Sequence, residues 1–247
     1  MSIELQEMNN QYENILRDKI SKFGDMSIGA LIVRLHFLAH LIKTSQFHEA
    51  TMNQVLQKVI EQYNYENLPL SSLQQYITIE KDEKNAGEVY VFDEDYFQKN
   101  YCNALPDASF NIKNISSRKD ISLLEDSLWY IYTVNQENEL VIYNSPMTVS
   151  ELVLNRNSTT INNVQIVHPI LVHNKDLKVR TAGEICFVKN GDLLKGIILN
   201  TKSGHYRPDP FSYKVTEEIL ISKFDLKPDE IIKIPVGLNK NNNTSSL

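Results

Sequence analysis

Six consecutive residues near the C-terminal end, Ser203-Gly204-His205-Tyr206-Arg207-Pro208, put a titratable ring, a fixed cation and two hydroxyls on one short segment. His205 is a natural proton donor or acceptor near neutral pH, and Arg207 suits a phosphate or carboxylate. Ser203 and Tyr206 add substrate-binding hydroxyls. Gly204 is read as the residue that frees the turn, and Pro208 as the one that stiffens its exit. The segment follows a β-run and precedes a helical one, where loops hold polar groups clear of a sheet. The plainer reading is a rigid turn in which His205 and Tyr206 bond to backbone.

His168, in Val167-His168-Pro169-Ile170-Leu171, is the second candidate. Its ring sits in a β-run, where an isolated polar group needs a partner. If that run neighbours the strand before Asn200, His168 and His205 reach one cleft. Two imidazoles with the Arg207 guanidinium then make a metal-independent acid–base pair with an anion clamp. Glu184, after Ala182-Gly183, is placed to orient a substrate hydroxyl, although a carboxylate at a strand start is more often solvated. Arg180 lies on the approach to it and joins the substrate-binding set, with a surface charge as its plainer reading. His36 and His40 stand one helical turn apart, with His48 beyond. They lack the acidic neighbour of a His-Glu-x-x-His zinc site, so no metal and no cofactor is assigned. Gly-rich phosphate loops, Cys-x-x-Cys pairs and Gly-x-Ser-x-Gly elbows are missing from the sequence.

The elements that must position these groups are legible from periodicity. Residues 2–65 read as three helices. Gly24 ends the first, and Ser27 caps a second, Ile28 to Ile42, whose apolar residues cover most of its circumference. That helix should be central and buried. Tyr76–Ile79 and Val89–Phe92 read as a hairpin, and residues 103–120, polar with Pro106, as a boundary. Strands follow at 128–134 and 139–143. Thr148 with Glu151 forms a capping box before a short helix. Further strands are expected at 164–172 and 184–188, and Asn190-Gly191 turns the chain into a strand at 193–199. Residues 211–223 form a helix and 231–236 a last strand. Trp129, Tyr130 and Tyr132 alternate along their strand as core with one wet face.

The fold class is therefore α+β, a helical N-terminal part followed by a mainly antiparallel β-rich domain with a C-terminal helix. The expected divisions are a helical part at 1–70, a hairpin and linker at 71–120, the β-rich domain at 121–238 and a disordered, Asn-rich tail at 239–247. The formal net charge of −6 argues against a generic nucleic-acid binder, which needs a basic surface. Cys102 and Cys186, the only cysteines, are far apart and read as free buried thiols. Met1 to Met8 has no apolar core, and the apolar run at 28–42 is shorter than the ~20 residues that span a bilayer. The location read from this is cytoplasmic, leaderless secretion as an effector being compatible with it.

The order of His168, Ala182-Gly183, a hairpin, and Ser203-Gly204-His205-Tyr206 followed by Pro208 resembles the large domain of the plant IQM proteins, which bind calmodulin. It is similar also to stand-alone bacterial proteins of effector or toxin type. Leu128-Trp129-Tyr130-Ile131-Tyr132 matches the aromatic strand that precedes these motifs. The resemblance covers residues 125–215 and implies a shared fold and a shared site at His168 and His205. Glu184 stands where the plant proteins carry arginine. The N-terminal third lacks the Ile-Gln-x-x-x-Arg-Gly motif, so calmodulin binding is not carried over. The expectation is an effector- or toxin-like enzyme acting without metal on a phosphate-bearing small molecule, a nucleotide or dinucleotide, through His205, His168 and Arg207. Its alternative is a non-catalytic module that docks a protein partner through the helical N-terminal part. A metal-independent nuclease is a third reading, which the net charge opposes.

Overall fold

The computed structural model describes residues 3–44, 49–65, 72–154 and 160–238; the tail at 239–247 and His48 lie outside them. Three helices open the chain: α1 (Ile3–Phe23), α2 (Ile28–Lys43) and α3 (Glu49–Tyr65). Gly24 ends α1 at φ +88°, and the Ser27 hydroxyl accepts the Ala30 N–H at the start of α2. A residue without Cβ takes the left-handed conformation cheaply, and the hydroxyl satisfies an amide that the first turn leaves without a partner. Next come the hairpin β1 (Ile77–Lys81) and β2 (Glu88–Phe92), then α4 (Glu94–Asn100), α5 (Leu105–Ala108), β3 (Ile112–Ile115) and α6 (Arg118–Ser122). They are followed by β4 (Trp129–Val134), β5 (Leu140–Tyr143), α7 (Val149–Val153), β6 (Thr160–Ile161), β7 (Val164–Gln165) and α8 (His168–Leu171). The last elements are β8 (Lys178–Val179), β9 (Thr181–Asn190), β10 (Leu193–Asn200), α9 (Tyr213–Phe224) and β11 (Ile231–Ile234).

The α+β architecture is as expected. A sheet of order β11-β10-β9-β4-β5-β3 is antiparallel throughout except where β11 runs parallel to β10. A smaller sheet of order β1-β2-β8 stands beside it. Helix α2 packs on α1 and α3 and lies across β9 and β10, which makes it the central helix its composition predicts. Both faces of the large sheet are covered. Trp129, Ile131, Ala182, Cys186 and Ile198 share a core with Leu31, Leu35 and Leu38 of α2. Tyr130, Tyr132, Ile185 and Phe187 pack on the other side against Ile219, Leu220 and Phe224 of α9. The aromatic strand therefore has no wet face, because α9 covers the side that alternation assigned to water.

Three further expectations are corrected. The stretch 103–120, read as a boundary, supplies β3, which pairs with β5 and forms an edge of the main sheet. The strand expected at 164–172 ends at Gln165, and His168 begins the one-turn helix α8. Pro169 explains the change, since proline has no N–H for a ladder and suits the first turn of a helix. Cys186 is buried, but Cys102 is only half-buried; both are free thiols. The capping box is present as read. The Thr148 hydroxyl accepts the Glu151 N–H, and the Glu151 carboxylate accepts the Thr148 N–H. Among the described residues no helix is long and apolar enough to cross a membrane.

One close approach governs how the chain leaves the sheet. A Cβ on Gly183 of β9 would lie 1.9 Å from the backbone oxygen of Asn200, at the end of β10. Only glycine lets the two backbones meet there. Gly183→Ala is expected to cost about 3 kcal/mol or more in chemical denaturation, the upper range for overpacking in a closed site. A loss under about 0.5 kcal/mol, typical of open surface, would show that the approach is not needed.

Candidate functional site

Asn200 is the last residue of β10, fully buried, and its side chain ties three groups together. Its Oδ1 accepts the Glu184 N–H at 3.0 Å and the Lys202 N–H at 2.9 Å. Its Nδ2 donates to Glu184 Oε2 at 2.7 Å. One carboxamide therefore fixes the Glu184 carboxylate and the course of the chain into the 201–212 turn. Because β9 starts at Thr181, Glu184 lies within the strand, opposite Ile131 of β4, and is 8% exposed. The solvated strand-start carboxylate expected from sequence is thus corrected. Burial raises its pKa, while Lys202 and the Asn200 amide pull the other way. Lys202 Nζ stands 3.9 Å from Glu184 Oε1, a loose ion pair.

The two imidazoles meet this pair from different directions. His168, at the start of α8, is buried, and its Nε2 lies 2.9 Å from the Gly183 carbonyl oxygen. A carbonyl only accepts, so Nε2 carries the proton and Nδ1 is the basic nitrogen of the neutral ring. Burial lowers the His168 pKa to about 4, with Lys202 adding to the effect against the Gly183 bond. His205 shares a 3.0 Å hydrogen bond between its Nε2 and the Tyr101 hydroxyl. Its ring packs against Phe92 and Tyr101, with centroids 5.7 and 5.6 Å away. Burial, and then the nearby His168, lower the His205 pKa to about 3. Burial pushes the Tyr101 phenol up to about 12, so it keeps its proton at neutral pH.

These groups open on one cavity of about 300 Å³. Gln165, His168, Glu184, Lys202, Gly204 and His205 form its polar side, and Ile131, Met147, Leu152, Ile166 and Val167 its apolar wall. That composition, apolar with a few convergent polar groups, is usual for a small-molecule site. Gly204 adopts no left-handed backbone and has open space where a Cβ would project. Its expected conformational role is corrected: no left-handed backbone is needed there, and the residue stands on the cavity lining. The left-handed residue of the turn is Arg207, at φ +46°.

The rest of the predicted set is not brought together here. Arg207 lines a second cavity of about 410 Å³, with Ile77, Tyr90 and Phe211. Two residues after His205 the turn has changed direction, and the cation beside the imidazoles is Lys202. Tyr206 is 1% exposed and donates to the Leu177 carbonyl, and Ser203 Oγ accepts the Tyr206 N–H at 3.2 Å. Both hold the turn; of the plainer reading, Tyr206 does bond to backbone, whereas His205 bonds the Tyr101 side chain instead. Arg180 pairs with Asp82 at 3.2 Å and donates to Asn138, pinning the β1–β2 loop to the β4–β5 loop away from the cavity. Asn200, Lys202 and Tyr101 are the participants that sequence reasoning did not assign. His40 is buried against Tyr12 and Phe37 in the α1–α2 packing, whereas His36 is exposed. Among the described residues no three His, Cys, Asp or Glu side chains cluster as metal ligands would.

The arrangement divides roles in a recognisable way. Burial raises the Glu184 pKa, so this carboxyl holds a proton more readily than a solvated one, while neutral His168, whose one N–H goes to the Gly183 carbonyl, offers Nδ1 as an acceptor. It also makes stability depend on pH. The two rings have folded pKa values of about 4 and about 3 against an ordinary 6.5, so below that value the unfolded chain binds more protons. Their contribution is complete above about pH 6.5 and is lost as pH falls toward the folded values. Denaturation at about pH 7 and about pH 5 should give lower stability at the acid end, with a flatter dependence in His205→Asn. Equal slopes in the two proteins would place the His205 ring in water. Compared with protein-family models, curated proteins and solved structures, the chain finds no match.

Proposed function

We propose that this protein is an enzyme that acts, without metal, on a phosphate-bearing small molecule held in the cavity of His168, Glu184, Lys202 and His205. The observation that carries the reading is convergence. Two imidazoles, one carboxyl and one ammonium from separate stretches of the chain line one apolar-walled cavity. Lys202 takes the anionic group in the place first given to Arg207. Glu184 moves the proton, the neutral His205 ring binds the oxygen on which charge develops, and His168, its N–H given to the Gly183 carbonyl, accepts a substrate proton at Nδ1. The resemblance to effector- and toxin-type proteins bears on a shared site at His168 and His205 and carries no activity of its own. A cavity of about 300 Å³ suits a substrate of mononucleotide size or smaller, so a dinucleotide would have to extend out of it. The net charge of −6 continues to oppose the nuclease reading.

The non-catalytic reading draws its support from Ser203 and Tyr206, whose bonds hold the turn and tie it to the Leu177 carbonyl. A substrate screen over nucleotides and phosphate esters, followed by variants, separates the two. Glu184→Gln and His205→Asn should each lower turnover by about 100-fold or more, the usual scale for an acid–base group. Their melting temperatures should stay near that of the parent chain. Variants that lose stability without a specific loss of turnover would favour the turn as a fold determinant. Gly204→Ala should leave stability within about 0.5 kcal/mol, since the methyl group meets nothing within 4 Å, while raising KM if the methyl group narrows the cavity that Gly204 lines. An unchanged KM would remove Gly204 from the cavity wall.

A further inference from the structure

Resting on the reading of the cavity as a ligand site, we infer that Tyr101 is its positioning residue. The phenol donates to His205 Nε2 and holds the ring's own proton on Nδ1. The cavity thus has two unlike imidazoles, a donor at His205 and an acceptor at His168. Tyr101 is firmly placed for this role. It follows the last residue of α4, its N–H donates to the Phe97 carbonyl, and the rings of Phe92, Tyr96 and Phe97 lie 6.3, 6.2 and 6.0 Å from its own. Its hydroxyl stands 3.0 Å from His205 Nε2, and neither the hydroxyl nor the ring makes another hydrogen bond among the described residues.

The direction of the bond follows from the protons available. Burial keeps the ring neutral, its pKa down at about 3, and the phenol protonated, its pKa up at about 12. The hydroxyl has one proton and the ring one, and a single proton lies between the phenol oxygen and Nε2. A phenol oxygen shares its lone pairs with its own ring and accepts poorly, whereas an unprotonated imidazole nitrogen accepts well. The bond is therefore made with the phenol's proton, and the proton of the ring sits on Nδ1. His168 is fixed the other way. The Gly183 carbonyl takes its Nε2 proton, at 2.9 Å, so its Nδ1 keeps a lone pair. Both rings line the cavity, and with each Nε2 engaged the two Nδ1 atoms are left for a ligand. A ligand that reaches both must accept at His205 and donate at His168. An alcohol hydroxyl or a primary amide does so, and a fully ionised phosphate oxygen does not. The phosphate-bearing substrate thus carries a hydroxyl or an amide-type N–H as well. Without Tyr101 the proton is free to return to Nε2, and a lone pair would face the oxygen that His205 serves.

Long-range hydrogen–nitrogen spectra of the full chain at about pH 7.5 read both rings without any turnover assay, because protonated and unprotonated ring nitrogens resonate far apart. His205→Asn and His168→Asn assign the signals by their loss. His205 should carry its proton on Nδ1 and His168 on Nε2. In Tyr101→Phe the His205 proton should move wholly or partly to Nε2, with His168 unchanged. Should that variant fail to fold, the parent chain made with ring-fluorinated tyrosine decides. A more acidic phenol donates more strongly and shifts His205 Nε2 toward its protonated position; the opposite shift would mark the phenol as acceptor. Benzamide should bind the full chain about fivefold more tightly than acetophenone, which lacks the N–H, the scale of one hydrogen bond. Equal binding, or none of benzamide, overturns the ligand assignment. The role of Tyr101 is overturned if His205 of the parent chain carries its proton on Nε2, or if Tyr101→Phe leaves the Nδ1 proton in place. Turnover is a separate readout: Tyr101→Phe should lower it by about tenfold or more and add nothing to the loss in His205→Asn. Tautomers as expected with no reaction in the substrate screen would sink the enzyme reading and leave the role of Tyr101 standing.

Discussion

The site depends on the contact between β9 and the end of β10. Gly183 has no side chain, so the Asn200 backbone can lie against it, and from there the chain turns out of the sheet. The Asn200 carboxamide then bonds the Glu184 N–H, the Glu184 carboxylate and the Lys202 N–H. The Gly183 carbonyl, on the same short stretch of strand, accepts the proton of His168. Each of these bonds satisfies a polar group that burial would otherwise penalise. A side chain at position 183 would disturb them together. A strand end that looks like ordinary sheet is in this way the anchor for a carboxyl, an imidazole and an ammonium.

Burial explains why the chemistry proposed here differs from a simple pair of acid–base histidines. Imidazoles with pKa values of about 4 and about 3 spend little time charged at neutral pH and serve as polarising donors and acceptors. The same burial acts in the opposite direction on Glu184, because desolvation penalises whichever form is charged. One low-dielectric cavity thereby brings a carboxyl toward neutrality and moves two rings away from it. Tyr101 completes the set: its hydroxyl bonds His205 Nε2, and its ring walls the imidazole on one side.

Much of the architecture was legible because it rests on local rules. Gly24 and Ser27 mark a helix end and a helix start, Thr148 and Glu151 a capping box, and Asn190-Gly191 a tight turn, and all four behave as their chemistry dictates. His168 and His205 do line one cavity, but not by the route read from sequence: His168 stands on α8 rather than on a strand beside β10, whose neighbours are β9 and β11. What sequence could not give depends on direction and on long-range packing. Arg207 and Lys202 belong to one turn, and only the fold decides which faces the imidazoles. Tyr101 reaches His205 across 104 positions. Glu184 looked solvated until β9 proved to begin three residues earlier, and the wet face of Trp129-Tyr130-Tyr132 vanished under a helix that comes some eighty residues later in the chain.

The central claim is that His168 and His205 belong to a single ligand cavity. Nitrogen-15 spectra of the histidine rings, recorded while phenyl phosphate is added to the full chain, test it directly. The rings of His168 and His205 should shift together with one shared Kd, while those of His36, His40 and His173 stay in place. A response from only one of the pair, or two responses with different Kd values, would contradict the account.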